Sequence, residues 1–149
     1  MDKYDIKYIT EKKVSSIGSE SDTKIDNKDI KLVVNENSDL EDLLSDGYLP
    51  VVIKNNSDGI YRYDEKFIIE YKKDDTWYKL NMVSDLVFND IGYVIKVNES
   101  NKINIDIKSK YGELSSGTYR LIKSFINSDD DKLNISVEFN INKNSLIGK

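Results

Sequence analysis

Two stretches of this chain alternate apolar and polar residues without interruption. Lys102 to Lys108 places Ile103, Ile105 and Ile107 on one side, and a later run does the same with Leu133, Ile135, Val137, Phe139 and Ile141. A period of two is the pattern of a strand with one buried and one wet face. On a helix the same residues would scatter around the axis. The chain is therefore constrained toward sheets that pack through one face.

The rest of the sequence supplies further strands. Ile30–Val34 and Val51–Lys54 are β-prone runs, the second ending in the turn cluster Asn55-Asn56-Ser57-Asp58-Gly59. Phe67–Lys72 and Thr76–Leu80 flank Lys73-Asp74-Asp75 in a hairpin pattern. Leu86–Phe88 and Tyr93–Ile95 read as short edge pieces, and Tyr4–Ile9 as a candidate short strand. Between the first two runs, Ser38 followed by Glu41 fits a capping box and Gly47 a helix stop, which predicts one short helix near residues 38–46. The spacing predicts an all-β domain of about seven or eight strands over residues 30–142. Residues 1–29 are expected as a polar N-terminal linker or tether, and 143–149 as a C-terminal tail.

Within this pattern stands Leu114-Ser115-Ser116-Gly117-Thr118-Tyr119, followed by the β-prone run Arg120 to Phe125. Leu-x-x-Gly-x-Tyr before a strand has the form of a tyrosine corner, in which the hydroxyl bonds back to upstream backbone. Tyr119 is therefore expected to be a buried structural residue, with Leu114 and Gly117 as the corner's supports. One residue breaks the pattern: Lys123 falls on the same side as Tyr119, Leu121 and Phe125. Either a bulge interrupts the alternation, or the lysine reaches the rim by its apolar stem.

With these residues in view, the chain resembles the bacterial immunoglobulin-like domain family of Gram-positive surface proteins and lipoproteins. The resemblance runs from about Val51 to Ile141. Val51–Ser57 is similar to an early strand ending in an Asn-rich turn; Phe67–Tyr71 and Trp77–Leu80 are similar to a hairpin with Trp on its return strand. Tyr111–Leu114, Gly117–Lys123 and Val137–Phe139 complete the likeness. It implies an immunoglobulin-like Greek-key β-sandwich, usually extracytoplasmic, with no family-wide catalytic residues. Export would rest on a signal outside this sequence.

Composition narrows the chemistry. A net charge of −5 with two arginines, Arg62 and Arg120, gives no cationic face for nucleic acid. There is no cysteine and no histidine, so thiolate chemistry, disulfides and a Ser-His-Asp triad are excluded. No apolar run is long enough to insert in a membrane as a helix. The triplet Asp129-Asp130-Asp131 could contribute oxygens to a calcium ion, but its position between two strands reads as a solvated hairpin. Glu70, Glu113 and Glu138 lie in or near strands and are candidates for a glycosidase pair, with Glu138 on the wet face. No cofactor or metal is expected.

Tyr61, Tyr63, Tyr71, Trp77 and Tyr78 cluster in sequence around the predicted hairpin and form a candidate aromatic binding surface. The same enrichment follows from β-propensity alone. The expected function is a non-enzymatic binding or spacer module, monomeric, with a protein or cell-wall carbohydrate as its partner. An inhibitor or regulator of an enzyme on the same sandwich is the alternative. The two classes separate on the surface: a spacer needs no exposed apolar patch, and a binder does.

Overall fold

The computed structural model describes residues 15–34, 47–84, 88 and 91–142. The helix expected near residues 38–46, the candidate strand Tyr4–Ile9 and the tail at 143–149 lie outside the described residues, as do Leu86 and Val87. Among the described residues ten strands and one short helix follow in order: β1 (Ile17–Glu20), β2 (Ile30–Val34), β3 (Tyr48–Asn55), β4 (Tyr61–Asp64), β5 (Ile68–Lys73), β6 (Thr76–Leu80), β7 (Gly92–Ile95), β8 (Ser100–Asp106), α1 (Ile107–Tyr111), β9 (Gly117–Ile126) and β10 (Lys132–Ile141). Strands β2, β3 and β8 form one antiparallel sheet, and the other seven form the second.

The alternation read from the sequence sets the core. Ile135, Phe139 and Ile141 of β10 are buried, and they meet Tyr119, Leu121 and Phe125 of β9, Ile69 of β5, and Leu32, Val51, Ile53 and Ile105 of the facing sheet. In the β5–β6 hairpin, Asp74 and Asp75 have φ of 53° and 64°. Positive φ at both central residues is the twist-compatible hairpin turn, and aspartate tolerates it well. Ile107, expected as the last inward residue of a strand, is buried but opens α1. Asp106 accepts from the Ser109 amide at 3.3 Å, which starts the helical turn.

Strand β10 runs along one side of β9 for its whole length, from Lys132 opposite Ile126 to Ile141 opposite Gly117. Strands β5 and β4 therefore share the other side. Ile68 lies opposite Ile122 and Arg62 opposite Ile126, so six steps along the chain from β4 into β5 (68 − 62) span four along β9 (126 − 122). The two extra residues form a bulge at 65–67. Here Lys123 finds its place. The β9–β10 register is unbroken, and Lys123 points inward at 3% exposure. Its amine donates to the carbonyls of Asp64 and Lys66, both at 2.9 Å. The bulge anticipated from the sequence is thus in the neighbouring strand, and the lysine closes it from β9.

The polar segment expected as a linker through residue 29 is part of the folded body from residue 15 onward. Strand β1 pairs with β6, and the Ser21 amide continues that pairing to the Trp77 carbonyl at 2.8 Å. Residues 21–27 then cross the outer face of the large sheet as a strap. Ser21 and Thr23 donate to Glu70, and the carbonyl of Lys24 accepts from the Asn134 side chain. Asp26 exchanges hydrogen bonds with the backbone of Asn134, and Asn27 accepts from the Ser136 amide. The segment has little apolar area to bury, so composition alone predicts disorder. It is held by polar bonds to an otherwise open strand edge, which is also how exposed edges are kept from pairing elsewhere.

Candidate functional site

The corner comes first because it positions what surrounds it. The Tyr119 hydroxyl donates to the Ser115 carbonyl at 2.7 Å, and its ring is 2% exposed against Phe139 and Tyr71. Burial raises its phenol above the ordinary value, the Ser115 contact opposing this. Leu114 is buried as well. At Gly117 a Cβ would lie 2.7 Å from Cε1 of Tyr71, so no larger residue fits without moving that ring. The corner holds the start of β9 against β5, and nothing in it is arranged for reaction.

The five aromatics singled out in the sequence do not share a face. Trp77 and Tyr78 are consecutive on β6, so the pleat sends them to opposite sides. Tyr78 is opposite Tyr71 in register, and both turn toward the sandwich interior, with Tyr71 packed on the core. Tyr63 is 7% exposed, stacked on Tyr93 and tilted against Phe125. Tyr61 is half-buried, its phenol raised by burial and then by the nearby carboxylates of Asp29, Asp58 and Asp131. Trp77 alone of the five lies on the outer face, under the guanidinium of Arg120 at 4.5 Å. A continuous stacking platform built from these residues is therefore replaced by separate structural roles.

Two of the carboxylates, Glu70 and Asp130, are held in ion pairs. Glu70 is fully buried, with one oxygen accepting two bonds from Arg120 at 2.6 and 2.8 Å and the other facing Ser21 and Thr23. That is a buried ion pair with both carboxylate oxygens occupied. Glu138 is on the wet face. Residues 127–131 form the β9–β10 hairpin turn: the Asn127 side chain accepts from the amides of Asp129 and Asp131, and Asp130 pairs with Arg62 at 2.7 Å. Among the described residues no group of three acidic side chains is disposed to hold a metal.

What the sequence reading did not pick out is an apolar groove of about 650 Å³ on the outer face of the large sheet, beside the strap. Its floor is Ile68, Ile122 and Ile126, from β5 and β9. Met82, Phe88, Ile91 and Val94 wall one side. Ile68, Met82, Ile91 and Val94 are each between 41% and 51% exposed, an unusual concentration for one surface region. A signal for it exists in the sequence. Ile68-Ile69, Leu121-Ile122 and Phe125-Ile126 are doubled apolar pairs on neighbouring strands, and a doublet on a pleated strand makes both faces apolar. Among the described residues Arg62, Lys66, Lys132 and Asp64 line the rim, and Arg62 is already paired with Asp130.

A two-sheet sandwich with a corner tyrosine at the start of the strand after α1 is an immunoglobulin-like architecture. The chain belongs to the bacterial Ig-like domain family, whose model matches residues 26–140. Such domains are generally non-catalytic and typically extracellular modules. No curated protein and no solved structure matches the chain. No helix among the described residues is long and apolar enough to cross a membrane.

Proposed function

We propose that this chain is a non-enzymatic binding module of a bacterial cell-envelope or secreted protein, and that it recognises its partner through the apolar groove on the outer face of the seven-stranded sheet. The observation that carries this reading is the concentration of exposed aliphatic side chains around one concave site. A pure spacer has no use for such a patch, which costs solubility. Sites of a few hundred cubic ångströms with apolar lining and a few charged groups are the usual form of small-ligand pockets. The non-enzymatic part is supported by the absence of histidine and cysteine and by the full occupation of Glu70.

An apolar fluorescent dye tests it. The folded protein should bind bis-ANS saturably at one site, and Val94→Asp, at a half-exposed position, should remove that site while leaving the thermal unfolding curve in place. A native protein that binds no dye would be a spacer. Fractionation of the producing cells tests the location, and recovery with the cytosolic proteins would overturn the envelope reading.

A further inference from the structure

We propose that β1 and the strap are exchangeable between copies of this chain. Two chains then form a reciprocal dimer in which residues 15–27 of each lie on the large sheet of the other, with Asn27 and Lys28 as the hinge. The monomer expected from the sequence is the closed form of the same protein. The occupant of the strap's site is thus a second copy, and the proposal stands apart from the groove.

The contacts of the segment are indifferent to which chain supplies it. Among the described residues its hydrogen-bond and ion-pair partners outside itself all lie between Glu70 and Ser136, far from the hinge in sequence. Ser21 and Thr23 reach Glu70, Asp22 pairs with Lys79 at 2.9 Å, and the Asn27 carboxamide accepts from the Ser136 amide. Each of these bonds forms equally well between chains, so exchange keeps them all. The site also selects this segment. Lys79, Glu70, Arg120 and Glu138 stand in register across β6, β5, β9 and β10, a row of alternating sign. The run Ser21-Asp22-Thr23 answers it with hydroxyls at Glu70 and a carboxylate at Lys79.

The hinge favours opening. Residues 15–27 contain two apolar side chains, Ile17 and Ile25, and Ile17 is 49% exposed. Release therefore breaks polar bonds on one face and leaves the core closed, a local opening. Asn27 is held at φ of 35° where the chain turns from the face of one sheet to the edge of the other. That left-handed backbone costs free energy in a residue with a side chain, and an extended hinge relieves it. Short hinges under such strain are where exchange begins. The hinge also opens on a cavity of about 370 Å³ between β2 and β10, each of which pairs with one other strand. Its lining includes Lys28, Lys31, Val33, Val137 and Glu138, and Val33 is 37% exposed. The two hinges of an exchanged dimer cross at this seam, which brings valines to cover and charges of both signs to pair.

The test uses the intact chain, labelled with light or heavy nitrogen and mixed. A short tether holds its own strap at an effective concentration in the millimolar range, so the mixture is refolded from urea at about 1 mM. Size-exclusion chromatography with light scattering should give a dimer beside the monomer. A zero-length carbodiimide then joins the Asp22 carboxylate to the Lys79 amine, both exposed and already in contact. In the dimer fraction the linked peptides should pair light with heavy chains, and in the monomer fraction they should not. Lys28→Pro, at an exposed position, disfavours the left-handed turn at Asn27 and should raise the dimerisation constant tenfold or more. Asn27→Gly adopts that turn without strain and should lower it, since the side-chain bonds it gives up are lost by both forms. Absence of a dimer in wild type and in folded Lys28→Pro overturns the proposal. So does a dimer whose Asp22–Lys79 links stay within one chain, or a folded Lys28→Pro no more dimeric than wild type. If Lys28→Pro does not fold, the wild-type links decide alone.

Discussion

Lys123 should make the stability of this domain rise with pH across a window where most proteins are indifferent. Its amine is buried between two sheets at 3% exposure, and burial lowers its pKa to about 8, against the opposing attraction of Asp64 and Glu65. In the unfolded chain the same amine has its ordinary value of 10.5. Below pH 8 both states hold the proton and stability is flat. Between about 8 and 10.5 the unfolded chain holds more protons than the native one, so raising the pH favours the native state. Linkage over that shift gives a gain of about 2 kcal/mol between pH 7 and 9.5. In urea this moves the midpoint up by roughly 1 M, taking a slope of about 2 kcal/mol per molar. Burial also raises the phenols of Tyr63, Tyr111 and Tyr119, whose stabilising effect on the native state is lost only above pH 10, outside the window. The Lys123→Met variant removes the titration and leaves the Asp64 and Lys66 carbonyls without their donor. Its midpoint should be flat over the same range. A wild-type midpoint that stays level or falls from pH 7 to 9.5 would refute the account of Lys123 as a charge held at a cost to close the bulge.

Three other substitutions probe the frame. Arg120→Ala leaves the Glu70 carboxylate buried without its cation and should cost about 3–5 kcal/mol, read by chemical denaturation, with faster amide exchange at Ser21 as the strap loses its anchor. Tyr119→Phe should cost about 0.5–1.5 kcal/mol, and a crystal structure of the variant should show a water at the Ser115 carbonyl if the loss is at the low end. Gly117→Ala forces a Cβ toward the Tyr71 ring and should cost about 1–3 kcal/mol by thermal unfolding, with Tyr71→Ala in the same chain relieving part of it.

Most of the fold was legible because its long strands have one wet face. The five apolar positions from Leu133 to Ile141 could be read straight off, and they pack on the core as the alternation implies. The corner was legible for a different reason: Gly117 and Tyr119 are set by close approach and by one hydrogen bond, both tied to residue type. What escaped reading is what depends on a neighbour. Strand β4 has four residues and ends at a bulge, too short for a period to show. Strand β1 is polar and owes its place to β6 and to Glu70, over forty residues away in sequence. The alternation up to Lys108 disguised α1, since an Asp106 cap is a local bond with no period. The aromatic cluster was misleading for a simple geometric cause: adjacency in sequence on a strand means opposite faces. The groove was hidden in doublets such as Leu121-Ile122, which look like ordinary core until the pleat assigns the second residue to the outside.

The strap has a consequence for where this domain begins. The family's unit of descent starts at residue 26, inside the strap, but the unit that folds includes Ser21 and Thr23, whose hydroxyls face one oxygen of a carboxylate sealed in the sheet. A fragment cut at the inherited boundary would keep its core and its corner. It would also expose Trp77, Glu70 and Arg120 to water and convert a buried ion pair into a surface one. In this chain the inherited module and the physical module are different objects, and the segment from residue 15 to residue 25 makes the difference.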